Sequence, residues 1–169
     1  MSLTLSLLRH AHAVDHHPSG DLYRPLSDHG IQQCKQLAYK LRQDQISLPV
    51  CISSHAVRTL TTITTVLNIL GYDHQCIQCE TVLYDGGIKD LVWLVQSLPA
   101  DHHNILLVGH NNELSELWVW LTWDHNLRLH KSEYVHITVD VSDRSQIVSK
   151  SGQIVLQYRQ RSKGIDRNP

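Results

Sequence analysis

The 169-residue sequence has no surplus of charge of one sign, no long apolar run, no internal repeat and no low-complexity stretch. Its 15 Lys and Arg residues face 16 Asp and Glu, for a net charge of −1 and a pI near 6.9. That balance gives no basic footprint, so no nucleic-acid partner is expected. The apolar run "LTLSLL" (3–8) is six residues long and lacks a basic leader, so it is neither a signal peptide nor a membrane span. A soluble cytoplasmic protein without membrane contact is expected. No linker interrupts the pattern before the polar end "RSKGIDRNP", so residues 1–160 are read as one domain and 161–169 as a frayed polar tail.

Cysteine is also scarce: Cys34, Cys51, Cys76 and Cys79, with one C-x-x-C pair, "CIQC", at 76–79. A structural zinc site needs two more closely spaced ligands, and a redox pair usually caps a helix after a strand. Neither condition holds, so these are expected to be plain reduced thiols, with no role assigned to the Cys76–Cys79 pair.

Histidine, by contrast, is abundant, with 13 residues. The run "LLRHAHAVDHH" (7–17) holds His10, His12, His16 and His17 beside Arg9 and Asp15, and His29 follows nearby. It looks at first like the H-x-H-x-D-H run of two-metal hydrolases. The spacing is one residue too long, however, and a guanidinium next to the first histidine repels a cation and attracts an anion. No metal and no cofactor are expected.

The elements read in the order β-α-β-α-α-β-α-β-β. Strands are expected over 3–8, 49–54 and 104–110, and helices over 28–44 (capped by Ser27), 56–70 (stopped by Gly71) and 88–98. "ETVLYDGG" reads as a loop. Asn112 is expected to cap a helix through "ELSELWVWL", and "EYVHITVDV" and "QIVLQYRQ" to form a terminal hairpin. Trp118, Trp120 and Trp123 read as core or edge packing. The result is an α/β fold: a three-layer α/β/α sandwich around a mainly parallel sheet.

In such sheets the ligand crevice lies at the carboxyl ends of the strands. Three strand-to-helix junctions there supply Arg9-His10, Ser53-Ser54 with Arg58, and Gly109-His110-Asn111. Two arginines, two histidines and helix N-termini make a pocket for an anion, most simply phosphate.

These junctions resemble a known family. "LLRHAHA" is similar to the R-H-G or R-H-A signature of the histidine phosphatase superfamily, the phosphoglycerate-mutase-like fold. "DLYRPLSDHG" (21–30), "ISSHAVRT" (52–59) and "LLVGHNNELSEL" (106–117) resemble stretches of its SixA-type phosphohistidine phosphatase branch. The four matches fall in family order over residues 7 to 117. The resemblance implies His10 as nucleophile, Arg9 and Arg58 as clamps on the phosphoryl oxygens and His110 as a donor from the opposite side. It leaves Asn111 either lining the pocket or starting the helix. Asp21 and Arg24 resemble positions near the site and read equally well as an ion pair ordering the loop. His12, His16 and His17 are assigned mainly to a solvated loop.

Two residues depart from the family pattern: His55 and Asn112 stand where proline is usual. Many relatives also carry a carboxylic general acid before the third helix, for which Asp85 and Glu80 are the candidates here, Asp85 first. A phosphohistidine leaves more readily than an alcohol, so a weak acid favours an N–P substrate. The leading expectation is a metal-independent phosphatase acting on a phosphohistidine-bearing protein. The alternatives are a phosphatase for small phosphorylated metabolites, such as sugar phosphates or nucleotides, and a phosphate-binding module without turnover. A metal hydrolase comes last.

Overall fold

The computed structural model describes residues 2–48, 50–141, 143–161 and 164–168. The chain runs β1 (Ser2–Arg9), α1 (Asp28–Gln43), β2 (Val50–Ser53), α2 (Val57–Leu70), β3 (Ile77–Cys79), α3 (Val82–Asp85), α4 (Ile88–Ser97), β4 (Asn104–Gly109), α5 (Glu113–Thr122), β5 (Tyr134–Asp140), β6 (Gly152–Arg161) and β7 (Gly164–Asn168). The strands form one sheet in the order β3-β2-β4-β1-β5-β6-β7. The first four are mutually parallel; β5, β6 and β7 join antiparallel.

Both faces of the parallel half are covered, which is why its strands are apolar without strict alternation. Leu5, Leu7, Ile105 and Leu107 pack on one side with α4 and α5, around Leu91, Leu117 and the fully buried Trp118. Leu8, Leu106 and Val108 pack on the other side with α1 and α2, around Leu37, Leu41, Ile63 and Leu67. The three layers follow directly. Among the described residues no helix is long and apolar enough to cross a membrane.

Local chemistry explains the boundaries. Ser27 Oγ accepts the Gly30 N–H at 3.1 Å and caps α1. Gly30 itself faces the His12 carbonyl so closely that a Cβ would lie 2.0 Å from its oxygen, which pins the post-β1 loop to α1 and admits no side chain. Gly71 ends α2 in the left-handed conformation, φ 83°. The threonines of α2 return their hydroxyls to carbonyls one turn back, as in Thr62 to Arg58 (2.6 Å) and Thr65 to Thr61 (2.7 Å).

Three expectations change. "ETVLYDGG" is not wholly loop: Val82–Asp85 makes one helical turn because Leu83 is drawn into the core, and Gly86-Gly87 then ends it. Asn112 occupies the cap position of α5, but its side chain makes no capping bond; the neighbouring Asn111 and Ser115 side chains tie this end of the helix instead. The segment read as a frayed tail carries β7, whose backbone pairs with β6 from Gln157↔Asn168 to Arg161↔Gly164. An outer strand needs backbone partners more than an apolar pattern. Of the thiols, Cys34 is buried and free, Cys51 is buried, and Cys79 is exposed and free; the Cys76 side chain lies outside the described residues.

Candidate active site

The parallel register brings the three junctions together. Arg9 pairs with Gly109 and Ser53 with Val108, so β1, β2 and β4 end at one level. The His10 N–H donates to the Gly109 carbonyl (3.1 Å) and the Ser54 N–H to the Val108 carbonyl (2.9 Å), carrying the sheet's bonding one residue into each loop. A cavity of about 420 Å³ opens above these ends. Arg9, His10, Arg58, His110 and Asn111 all line it, as do Asp21 and Arg24.

His10 is buried, only 7 % exposed. Its Nδ1 lies 2.7 Å from the carbonyl oxygen of Ala11. A carbonyl only accepts, so Nδ1 carries the proton and the Nε2 lone pair is left for a reacting atom. Burial lowers the pKa of His10 to about 4, with Arg58, Arg9 and Lys131 adding to the effect against the Ala11 hydrogen bond. The ring is therefore neutral at neutral pH, as a nucleophile must be.

The His110 ring centroid stands 5.1 Å from that of His10. Its pKa falls to about 3 through burial and then the nearby Arg58. His110 Nε2 meets Ser54 Oγ at 3.0 Å, while that oxygen accepts the Ala56 N–H at 3.2 Å. The Ser54 hydroxyl proton is thus available to Nε2, an arrangement that leaves the ring proton on Nδ1.

Arg58, 5 % exposed, is held by Asp21: one terminal nitrogen donates to the Asp21 carbonyl (2.6 Å) and the other to its carboxylate (2.8 Å). The same carboxylate accepts from Arg24 (2.7 Å) and the Tyr84 hydroxyl (2.9 Å), and these donors hold its pKa well below the usual carboxylate range although burial acts against them. Asp21 and Arg24 are thus an ion pair and part of the cavity wall at once. Arg9 donates from one terminal nitrogen to the Leu129 carbonyl (3.1 Å), and its buried Nε has no protein partner. Asn111 bridges the same loop, donating to the Leu129 carbonyl (2.6 Å) and accepting from Ser115 Oγ (2.8 Å).

Asp85 is exposed at the end of α3 and, like Glu80, is not among the residues lining the cavity. The neighbour of Asp85, Tyr84, does line it, with its ring 5.3 Å from His110 and 5.2 Å from His55. His12 is half-buried and engaged with Ser27 Oγ (2.8 Å), and its ring lies 5.6 Å from the exposed His29; His16 and His17 are exposed. None of these four lines the cavity. No group of three or more metal-ligating side chains occurs among the described residues.

Sequence reasoning missed Tyr84, Glu113 and Lys131, which complete the cavity wall. It also missed Glu133, fully buried in the loop before β5. Glu113 sits inside the quoted "GHNNELSEL" and was legible there; Lys131 and Glu133 come from an irregular loop with no motif around them.

The sequence matches no family model and no curated protein. The chain resembles a protein from Nakamurella multipartita provisionally assigned as the phosphohistidine phosphatase SixA, with TM-score 0.76 and 23 % identity over 93 % of this chain and 95 % of that one. It also resembles the protein histidine phosphatase SixA complexed with tungstate, with TM-score 0.79 and 18 % identity over 92 % and 96 %. A mycobacterial glucosyl-3-phosphoglycerate phosphatase follows with TM-score 0.63 and 17 % identity over 90 % and 96 %. Two of these neighbours are named as SixA phosphatases of phosphohistidine and one as a glucosyl-3-phosphoglycerate phosphatase, and the phosphoglycerate-mutase-like fold they share is the fold of this chain.

Proposed function

We propose that this protein is a histidine phosphatase working through a phosphohistidine on His10, and that its substrate is a phosphohistidine borne by a partner protein. The observation that carries the reading is His10 itself: neutral, with Nδ1 donated to the Ala11 carbonyl, set among Arg9, Arg58 and His110. A pure phosphate binder has no need of an imidazole kept unprotonated among cations.

In the first step the Nε2 lone pair of His10 bonds to phosphorus as the substrate's P–N bond breaks, and the departing imidazole takes a proton from solvent. Arg9 and Arg58 hold the non-bridging oxygens, and His110 donates from its side of the cavity. Water then attacks phosphorus, the Nε2–P bond breaks, and phosphate leaves carrying the water's protons. Neutral His10 is restored. The cations and imidazoles supply the charge stabilisation, so the scheme has no step requiring a metal or cofactor. The free thiols of Cys34 and Cys79 fit a reducing, cytoplasmic setting.

One observation favours a second reading, a phosphatase for small phosphate esters. An alcohol leaving group needs an acid, and Glu113 places a carboxylate in the cavity wall. The test is a panel of phosphohistidine peptides, sugar phosphates and nucleotides, assayed with and without chelator, combined with trapping of the phosphoenzyme. The expected result is an acid-labile, base-stable label that His10→Ala loses and chelator does not affect. Activity abolished by chelator overturns the mechanism.

A further inference from the structure

A second, larger cavity of about 730 Å³ lies on the α5 side of the molecule, unused by the chemistry above. Its walls include Val119 and Trp120 from α5, Trp123, Leu127 and Arg128 from the segment that follows, and Ile88 from the start of α4. Trp118 faces the core, but Trp123 remains 50 % exposed, and Trp120, Val119 and Leu127 are only partly buried. Indole rings left in water at a concave surface mark a binding site more often than they mark packing. The Trp123 ring carries the Lys150 ammonium 4.4 Å from its centroid and the His125 ring in edge contact at 5.2 Å, two contacts that hold the indole in place while it stays half exposed.

The groove abuts the phosphate cavity. Asn111 and Glu113 line the one and Asn112 the other; Lys131 lines the one and Arg128 the other. The dividing ridge is thus a single turn of backbone on each side, closed by the Asn111 bond to the Leu129 carbonyl. From Glu113, in the wall of the phosphate cavity, to Val119 and Trp120, in the groove, is six to seven helical residues, about 9–11 Å. A small phosphorylated metabolite seated on His10 would have to cross that ridge to use the groove. A polypeptide reaches both without strain, since three or four extended residues span the same distance.

We infer that the groove seats an apolar, preferably aromatic, side chain of the partner protein, three or four extended residues from its phosphohistidine. This deepens the proposed function and rests on it. The cationic ridge residues Arg128 and Lys131 then lie under the partner's main chain between the two anchors, and they disfavour a lysine or arginine there.

The test uses an alanine-background peptide carrying one phosphohistidine, with tryptophan or aspartate placed singly at each of the five positions on either side, and phosphoramidate as a substrate too small to reach the groove. Tryptophan three or four residues away is expected to lower KM about tenfold against alanine. Trp123→Ala and, separately, Leu127→Asp should remove that gain while leaving phosphoramidate turnover unchanged. Peptide turnover with no dependence on the tryptophan position, or variants that retain the full gain, overturns the groove assignment alone. Failure to hydrolyse phosphoramidate and every peptide overturns the phosphohistidine reading itself.

Discussion

The two halves of the sheet divide the labour. The parallel half, β3-β2-β4-β1, ends in the residues that would touch phosphate: Arg9 and His10 after β1, Arg58 beyond β2, His110 after β4. Among the described residues the antiparallel half reaches the cavity wall through Lys131 alone, in the loop before β5. What that loop supplies is mainly support. The Ser132 N–H donates to the carbonyls of both Arg9 and His10, the Arg9 N–H donates to the Glu133 carbonyl, and the Arg9 side chain ends on the Leu129 carbonyl. The Glu133 carboxylate, fully buried, shapes the loop by accepting from the His130 N–H (2.6 Å), Arg159 (2.9 Å) and Gln157 (2.5 Å). Chemistry sits at parallel strand ends because three of them converge on one crevice, while antiparallel strands, linked by hairpins, are free to brace it.

If that division holds, the largest losses come from the parallel half. His10→Ala removes the atom that would carry the phosphoryl group, and turnover of phosphoramidate or of a phosphohistidine peptide should fall on the order of 10⁴-fold, with no phosphoenzyme trapped. Arg58→Met keeps the aliphatic length but removes both the clamp and the partner of Asp21; kcat/KM should fall on the order of 10²–10³-fold. A loss of less than tenfold in Arg58→Met would mean that Arg9 alone suffices.

The pH dependence comes next in size. An ordinary imidazole, with pKa about 6.5, is almost wholly protonated at pH 5 and would cost about thirtyfold in nucleophile. With His10 at about 4, most of the ring stays neutral there. In a two-dimensional NMR titration the His10 ring should show its midpoint near pH 4, and Arg58→Met should raise it, because the guanidinium is one of the groups lowering it. The same depression sets a stability trend. Between pH 6.5 and 4 the unfolded chain takes up protons at His10 and His110 that the folded chain does not, so stability should decline as pH falls through that window. A midpoint for His10 at 6 or above would break the claim that burial keeps it neutral.

The same contrast explains what the sequence made legible. Strand β1, helix α1 with its Ser27 cap and helix α2 with its Gly71 stop are local patterns, and each was found within one or two residues. Arg9, His10, Arg58 and His110 could be grouped because a strand followed by a helix implies where the strand ends point. Tyr84, Lys131 and Glu133 could not. Tyr84 is held by Asp21 and Glu133 by Arg159, contacts far away in sequence that no periodicity reports, and Lys131 stands in an irregular loop with no motif around it. Strand β7 was missed for a related reason: its polar sequence carries no apolar alternation, and only the neighbouring β6 makes it a strand.

Bracing should cost less than chemistry. Glu133→Gln keeps the shape but removes the charge facing Arg159, and should lower stability by about 1.5–3 kcal/mol, read from denaturant unfolding. Because the loop positions Arg9, kcat/KM should fall about tenfold at a temperature where the variant is fully folded, and Glu133→Asp should restore part of it. Stability lost with kcat/KM intact would reduce the antiparallel half to scaffolding.

The smallest effect is expected where the sequence pattern pointed most plainly to an acid. Asp85 is exposed and outside the cavity wall, so its carboxylate has no route to a leaving group. Asp85→Asn should change turnover of phosphohistidine peptides and of alkyl phosphates by less than about twofold, within the range of a neutral surface change. Glu113→Gln is the informative contrast, because Glu113 lines the cavity. Loss of alkyl phosphate turnover in Glu113→Gln, with phosphoramidate turnover kept, would assign the acid to α5 and favour ester substrates. Equal indifference to both substitutions is expected of an enzyme whose leaving group is an imidazole, able to take its proton from water through the open mouth of the cavity.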